Sequence, residues 1–231
     1  FKVFNRRLAP YEIAALAGIT IADDSYDREK QYRLPLITIP ETGQAPVIDG
    51  AMTAGEWDMA AGVTGFLNIG KVAGSGYLAN DNALARVMYD GDSLYALFVT
   101  PIDNAPAPFA GNNDHYDPAQ EMIEFWFAPN GTSGKLFQFI GAANNATYDS
   151  LDDRKEWNAK WQFSNSHKDG RWIAEIAVTF AELGVSPPQK GDEWRMNFCR
   201  YYSQEKRATC WSDTIARYNV VSRFGRARFG D

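Results

Sequence analysis

The chain has 231 residues, 45% hydrophobic and 14% aromatic, and 23 Lys and Arg against 29 Asp and Glu give it a net charge of -6. That length suits one large all-β domain or two small ones, and the acidic balance argues against nucleic acid, whose phosphates ask for a basic face. No apolar run approaches the ~20 residues of a membrane-spanning helix, and two His with two Cys give poor support to a structural zinc site, which takes four N or S ligands.

Residues 1–19, FKVFNRRLAPYEIAALAGI, read as a unit. Alternation over 1–4 predicts a strand, and Pro10 precedes a helical run over 11–17 that Gly18 ends. The pattern of Asn5, Arg6, Leu8, Glu12, Ile13 and Leu16 resembles the last strand and short helix of laminin-G/concanavalin-like jelly-roll domains. The resemblance implies that 1–19 is the C-terminal tail of a preceding domain. A start at Phe1, without Met or signal peptide, fits a piece of something longer. Residues 20–44 are polar and Pro-containing, and read as a linker with one strand at 34–39. The acidic cluster of Asp23, Asp24, Asp27 and Glu29 reads as a solvated face, since its spacing is not that of an EF-hand loop.

From residue 45 short strands recur with turns between them, the pattern of a two-sheet antiparallel β-sandwich over 45–231. Strands are predicted at 46–49, 62–68, 83–89, 94–101, 122–128, 136–141, 160–164, 171–178, 194–202, 207–212 and 226–229. Asp90-Gly91-Asp92 and the residues 167–170 are hairpin turns. Residues 179–183 form a helical turn closed by Gly184.

The stretch 112–128, NNDHYDPAQEMIEFWFA, couples a polar loop carrying Tyr116 to an aromatic strand with Glu124 at its centre. A carboxylate there must be paired, hydrated or in use. No nucleophile, phosphate-loop or zinc-protease motif is present. His115 and His167 sit in polar turns and read as surface residues. Glu124 and Glu175 both lie inside strands and could face one another as a glycosidase pair. The alternative is a structural or ligand-contacting role, with Arg200 neutralising one of them. Cys199 and Cys210 flank a turn at Gln204-Glu205, which sets them directly opposite each other, as a disulfide or as two buried thiols. A bridge would imply an oxidising compartment.

The ordered motifs are V-I-D-G at 47–50, Glu56-Trp57, ARVMYDGDSLYAL at 85–97, EMIEFW at 121–126, RWIAEIAV at 171–178, GDEWRMNFCR at 191–200, CWSD at 210–213 and RFG at 223–225. The series resembles the family 9 carbohydrate-binding modules over about residues 45–230. The resemblance implies a β-sandwich that holds a glycan or glycan end between two aromatic rings. Glu124 matches the family's sugar-bonding glutamate, Tyr218 its second ring, and Tyr116 is the ring nearest the first position, with Phe109 a substitute. The family's arginine on the following strand is missing, and Gln138 stands in that region. The family's asparagine falls on Ile215, with Arg217 and Asn219 as neighbours. Trp57, Trp126, Trp172, Trp194 and Trp211 fall in core motifs, whereas Trp157 and Trp161 are unassigned and Trp157 is expected to be exposed.

The reading is thus a non-catalytic module of a larger secreted bacterial polysaccharide-acting protein, associated with a glycoside hydrolase or similar enzyme. Its partners would be a polysaccharide or oligosaccharide and other domains of the same polypeptide. No cofactor is required. A structural calcium is an expectation carried by the resemblance, with oxygen ligands at Asp114, Asp117 and Glu121. The competing readings are a structural or interaction domain that has lost the sugar site, a glycosidase, and a haem-binding relative using Met122 or Met88 as axial ligand.

Overall fold

The computed structural model describes residues 33–70, 75–81, 83–103, 117–129 and 131–230, with the isolated positions 16 and 106. The expected tail at 1–19, position 16 apart, and the acidic cluster at 23–29 lie outside the described residues.

Two sheets face one another. The larger has eight strands in the order β1 (Leu36–Ile39), β13 (Gly225–Phe229), β11 (Glu193–Tyr202), β6 (Met122–Ala128), β7 (Phe137–Ala142) and β8 (Thr147–Leu151), while β12 (Arg207–Cys210) pairs both β11 and β3 (Leu67–Ile69). The smaller has five, in the order β2 (Ala61–Val63), β4 (Leu84–Tyr89), β5 (Ser93–Pro101), β10 (Arg171–Thr179) and β9 (Trp161–Lys168). All ladders are antiparallel except β1 on β13. The segment read as a linker therefore contributes a strand to the larger sheet.

The core follows from period-two alternation. Ile123, Phe125 and Phe127 of β6 point inward with Phe137 and Phe139 of β7 and Met196 and Phe198 of β11. They meet Ala96 and Phe98 of β5 and Trp172, Ala174, Ile176 and Val178 of β10. Phe127 stacks on Trp194 at 5.9 Å and on Phe139 at 5.8 Å, so aromatic faces fill much of the inter-sheet space. The short helix α1 (Phe180–Leu183) starts on Thr179, whose hydroxyl accepts from the Glu182 N–H, and ends at Gly184 with φ 61°.

Three expectations change here. The strand predicted at 62–68 is two, β2 in the smaller sheet and β3 in the larger, with residues 64–66 crossing between them. Residues 46–49 form no strand; they belong to a coil that runs to Trp57 and covers the outer face of the smaller sheet. Strand β8 went unpredicted because Thr-Tyr-Asp-Ser-Leu lacks a run of apolar residues and lies on a sheet edge.

Candidate functional site

Residues 122, 124 and 126 of β6 point away from the core, and the ladders extend them into three rows across the outer face of the larger sheet. The middle row runs Tyr148, Ile140, Glu124, Cys199, Cys210, Leu67. One neighbouring row runs Ser150, Gln138, Trp126, Asn197. The other joins Ala142, Met122, Tyr201 and Ala208. Adjacent members of a row are set about 4.8 Å apart by the strand spacing.

Glu124 is 4% exposed. Its Oε2 accepts from Trp126 Nε1 at 2.8 Å and from Gln138 Nε2 at 2.9 Å. Gln138 Oε1 in turn accepts from the Ser150 hydroxyl at 2.8 Å, which fixes the orientation of the amide. Among the described residues no cation forms an ion pair with Glu124. Burial therefore dominates and pushes its pKa up to about 7, against the two donors.

Tyr218 lies on the same face. It is half-buried against the cluster of Trp126, Cys199, Cys210, Phe224 and Ile69. Its hydroxyl donates to the Arg200 carbonyl at 2.9 Å, and burial, then the Glu124 charge, raises its pKa well above the usual phenol range. Asn219 donates to Asp153 at 3.0 Å, which ties the Tyr218 loop to the segment after β8, and Arg217 is exposed. Tyr116, Phe109, Asp114 and His115 lie outside the described residues. The structure thus brings Glu124, Gln138 and Tyr218 to one face, with Asn219 at its rim. Ser150, Tyr148 and Tyr201 are further residues of that face which the sequence reading did not find; the first two lie on the unpredicted β8.

Of the metal candidates, Asp117 caps its own turn, accepting from the Ala119 N–H and the Gln120 side chain. Glu121 binds Arg200 Nη2 at 2.5 Å and accepts from both the N–H and hydroxyl of Ser203. Among the described residues no group of three or more His, Cys, Asp or Glu is gathered as for a metal ion.

The structure overturns two earlier expectations. Glu124 and Glu175 do not face one another: Glu124 lies on the outer face of the larger sheet and Glu175 on the outer face of the smaller, with the core between. Sheets pack ~10 Å apart, so these outward carboxylates cannot act on one glycosidic bond. Arg200 neutralises neither; it points into the core, over the rings of Trp172 and Tyr202, toward Glu121 and Thr100. Met122 and Met88, the axial-ligand candidates of the haem reading, are buried on opposite outer faces. Cys199 and Cys210 stand in register as expected, but both are free, buried thiols, whose pKa burial raises.

No protein-family model matches the chain, and no curated protein does. Solved structures do. A family 9 carbohydrate-binding module from Caldicellulosiruptor kristjanssonii in complex with cellotriose aligns with a TM-score of 0.58 at 16% identity, covering 84% of this chain and 93% of that one. The same organism's family 9 module with glucose aligns at 0.58 and 17% identity, covering 85% and 96%. A candidate carbohydrate-binding protein from Bacteroides uniformis aligns at 0.64 and 12% identity, covering 85% and 100%. The fold is therefore the β-sandwich of the family 9 carbohydrate-binding modules.

Proposed function

We propose that this chain is a non-catalytic carbohydrate-binding module whose ligand meets the outer face of the larger sheet at Glu124, Gln138 and the ring of Tyr218, with Tyr116 as the proposed second ring. The observation that carries the reading is the buried Glu124 carboxylate, held by two neutral N–H donors and facing away from the core. Sugar hydroxyls are neutral donors of the same kind, and they gain most from an acceptor already stripped of water. The neighbouring structures with cellotriose and glucose support an oligosaccharide as ligand. In this reading the module belongs to a larger secreted or cell-surface protein that acts on polysaccharide, and binding requires no cofactor.

Calorimetry against glucose, cellotriose and a wider panel of soluble oligosaccharides with free reducing ends tests this. We expect saturable binding that Glu124→Gln weakens about tenfold, the size of one lost charge-assisted hydrogen bond. A broad panel without binding would sink the reading. It would favour instead a structural or interaction domain of the same fold, for which the specific observation is Tyr218: its hydroxyl is already tied to the sheet backbone and its ring packs into a side-chain cluster.

A further inference from the structure

The larger sheet ends at β8 and the smaller at β9, and the two edges do not close. Between them runs a cleft of about 440 Å³, within the size range of small-ligand sites. Its walls are the inward residues of both edge strands: Thr147 and Asp149 from β8, Trp161 and Phe163 from β9. The rings are held rigidly. Asp149 accepts from Trp161 Nε1 at 3.0 Å and from the Ala159 N–H at 2.9 Å. Trp161 meets Phe139 edge-on at 5.1 Å and Phe163 at 5.9 Å. Phe163 reaches across to the larger sheet only because residue 141 is glycine; a Cβ there would sit 2.1 Å from the ring. Trp157 extends the strip, 5.5 Å from Phe137, half-buried where the sequence reading expects it exposed.

Rings alone would seal such a seam. Here unspent polar groups stand around them. The Thr147 hydroxyl and Lys160 ammonium have no partner among the described residues. Asn145 uses only its carbonyl oxygen, toward Asn165, and Asn158 only its amide nitrogen, toward Glu156. Asp149 is committed to the protein, so the cleft offers amides, one hydroxyl and one lysine beside half-exposed aromatic surface. A ligand with an apolar C–H face and many hydroxyls matches this, whereas a polyanion would meet one cation on an acidic protein.

We infer that the β8–β9 cleft is a second carbohydrate subsite, which takes a neutral pyranose against Trp161. It lies behind the Glu124 face: on β8, Ser150 points to Gln138 while Asp149 points into the cleft. It stands on its own geometry and does not require a ligand at Glu124.

Both sites carry an indole N–H bonded to a carboxylate, Trp126 on Glu124 and Trp161 on Asp149, so one NMR titration of the whole chain reads both. With cellotriose and xylotriose up to about 10 mM, the Trp161 indole resonance is expected to shift saturably. The variant carrying Thr147→Val and Asn158→Ala should weaken that response about fivefold and leave the Trp126 response alone. Glu124→Gln should leave the Trp161 titration unchanged. A Trp161 resonance that stays fixed while Trp126 moves overturns the second subsite and keeps the first. A Trp161 shift that the double variant does not weaken also overturns it, since the effect then arrives from elsewhere. Movement at Trp161 alone sustains the second subsite and removes the first, and silence at both removes both.

Discussion

Glu124 and Glu175 are the same residue in the same setting, mid-strand and buried on the outer face of a sheet, and the protein treats them in opposite ways. Glu175 is fully buried beneath the chain itself. Its Oε2 accepts the N–H groups of Asp49 and Gly50 at 3.0 and 2.7 Å, and its Oε1 accepts Trp57 Nε1 at 2.9 Å. The carboxylate is a latch that holds the 46–57 coil across the smaller sheet. Gly50 is needed in that coil, since it sits at φ +84° with a hypothetical Cβ only 2.8 Å from the Asn165 backbone. Glu124 latches nothing: both of its donors reach one oxygen, and both are side chains. A carboxylate whose two oxygens both hold a distant stretch of chain is architecture; one that leaves an oxygen unclaimed among the described residues is available for a ligand.

The same substitution should therefore act in opposite directions at the two sites. Glu175→Gln places an amide NH2 against an N–H donor, because both oxygens are in use, and is expected to cost about 4 kcal/mol in chemical denaturation. Equal stability in variant and parent would remove the latch from the account.

Glu124→Gln keeps one oxygen for both donors and removes a charge that burial disfavours. The sign follows from the raised pKa. Below the unfolded value of about 4.5 the carboxyl is protonated in both states, and nothing is lost. As pH rises toward about 7 the folded state still holds a proton that the unfolded state has released, so stability falls. The loss approaches about 3 kcal/mol above pH 7. Unfolding curves of parent and Glu124→Gln should coincide near pH 4 and separate by pH 8, the variant being the more stable. A variant less stable than the parent at pH 8 would show that the charge is needed for folding.

Smaller changes sharpen the comparison. Tyr218→Phe removes the shorter of the two hydroxyl donors to the Arg200 carbonyl, leaving the Thr209 hydroxyl at 3.4 Å, and should cost about 1 kcal/mol. Ser150→Ala frees the Gln138 amide to turn, with a cost near 0.5 kcal/mol and a loss of glycan affinity of about threefold. A Ser150→Ala protein that binds as tightly as the parent would show that the amide is fixed by Glu124 alone.

The sandwich and much of its register were legible because they rest on local pattern. Alternation marks β6 to the residue, and the turn at Gln204-Glu205 places Cys199 opposite Cys210 as the ladder does. Glu124 stood out for the same reason, a charge inside an apolar strand. What could not be read is what depends on chain segments far apart. The partners of Glu175 lie 118 to 126 positions away, on a coil with no periodic signal. Ser150 was missed because β8 is a polar edge strand, with Thr147 and Asp149 facing the open seam. Arg200 was expected to serve a carboxylate inside a strand, yet it serves Glu121, just before β6 begins. Strand parity alone separates Glu124 from Glu175, but only once it is known which face each sheet turns to the core.

The parallel ladder of β1 on β13 carries a mechanical consequence. Leu36 lies beside Arg226 and Ile39 beside Phe229, with Arg226 N–H on the Pro35 carbonyl and Gly230 N–H on that of Ile39. The chain enters this ladder at one end and leaves it at the other. Tension between the two termini would thus slide the strands along each other and load every rung at once, rather than peeling them apart one by one. Beyond β1 the chain crosses to the other sheet, where Thr42 N–H meets the Tyr89 carbonyl at 2.7 Å, so the same pull is shared with the second layer. A fold tied in this way resists being drawn open by a pull applied between residues 36 and 229.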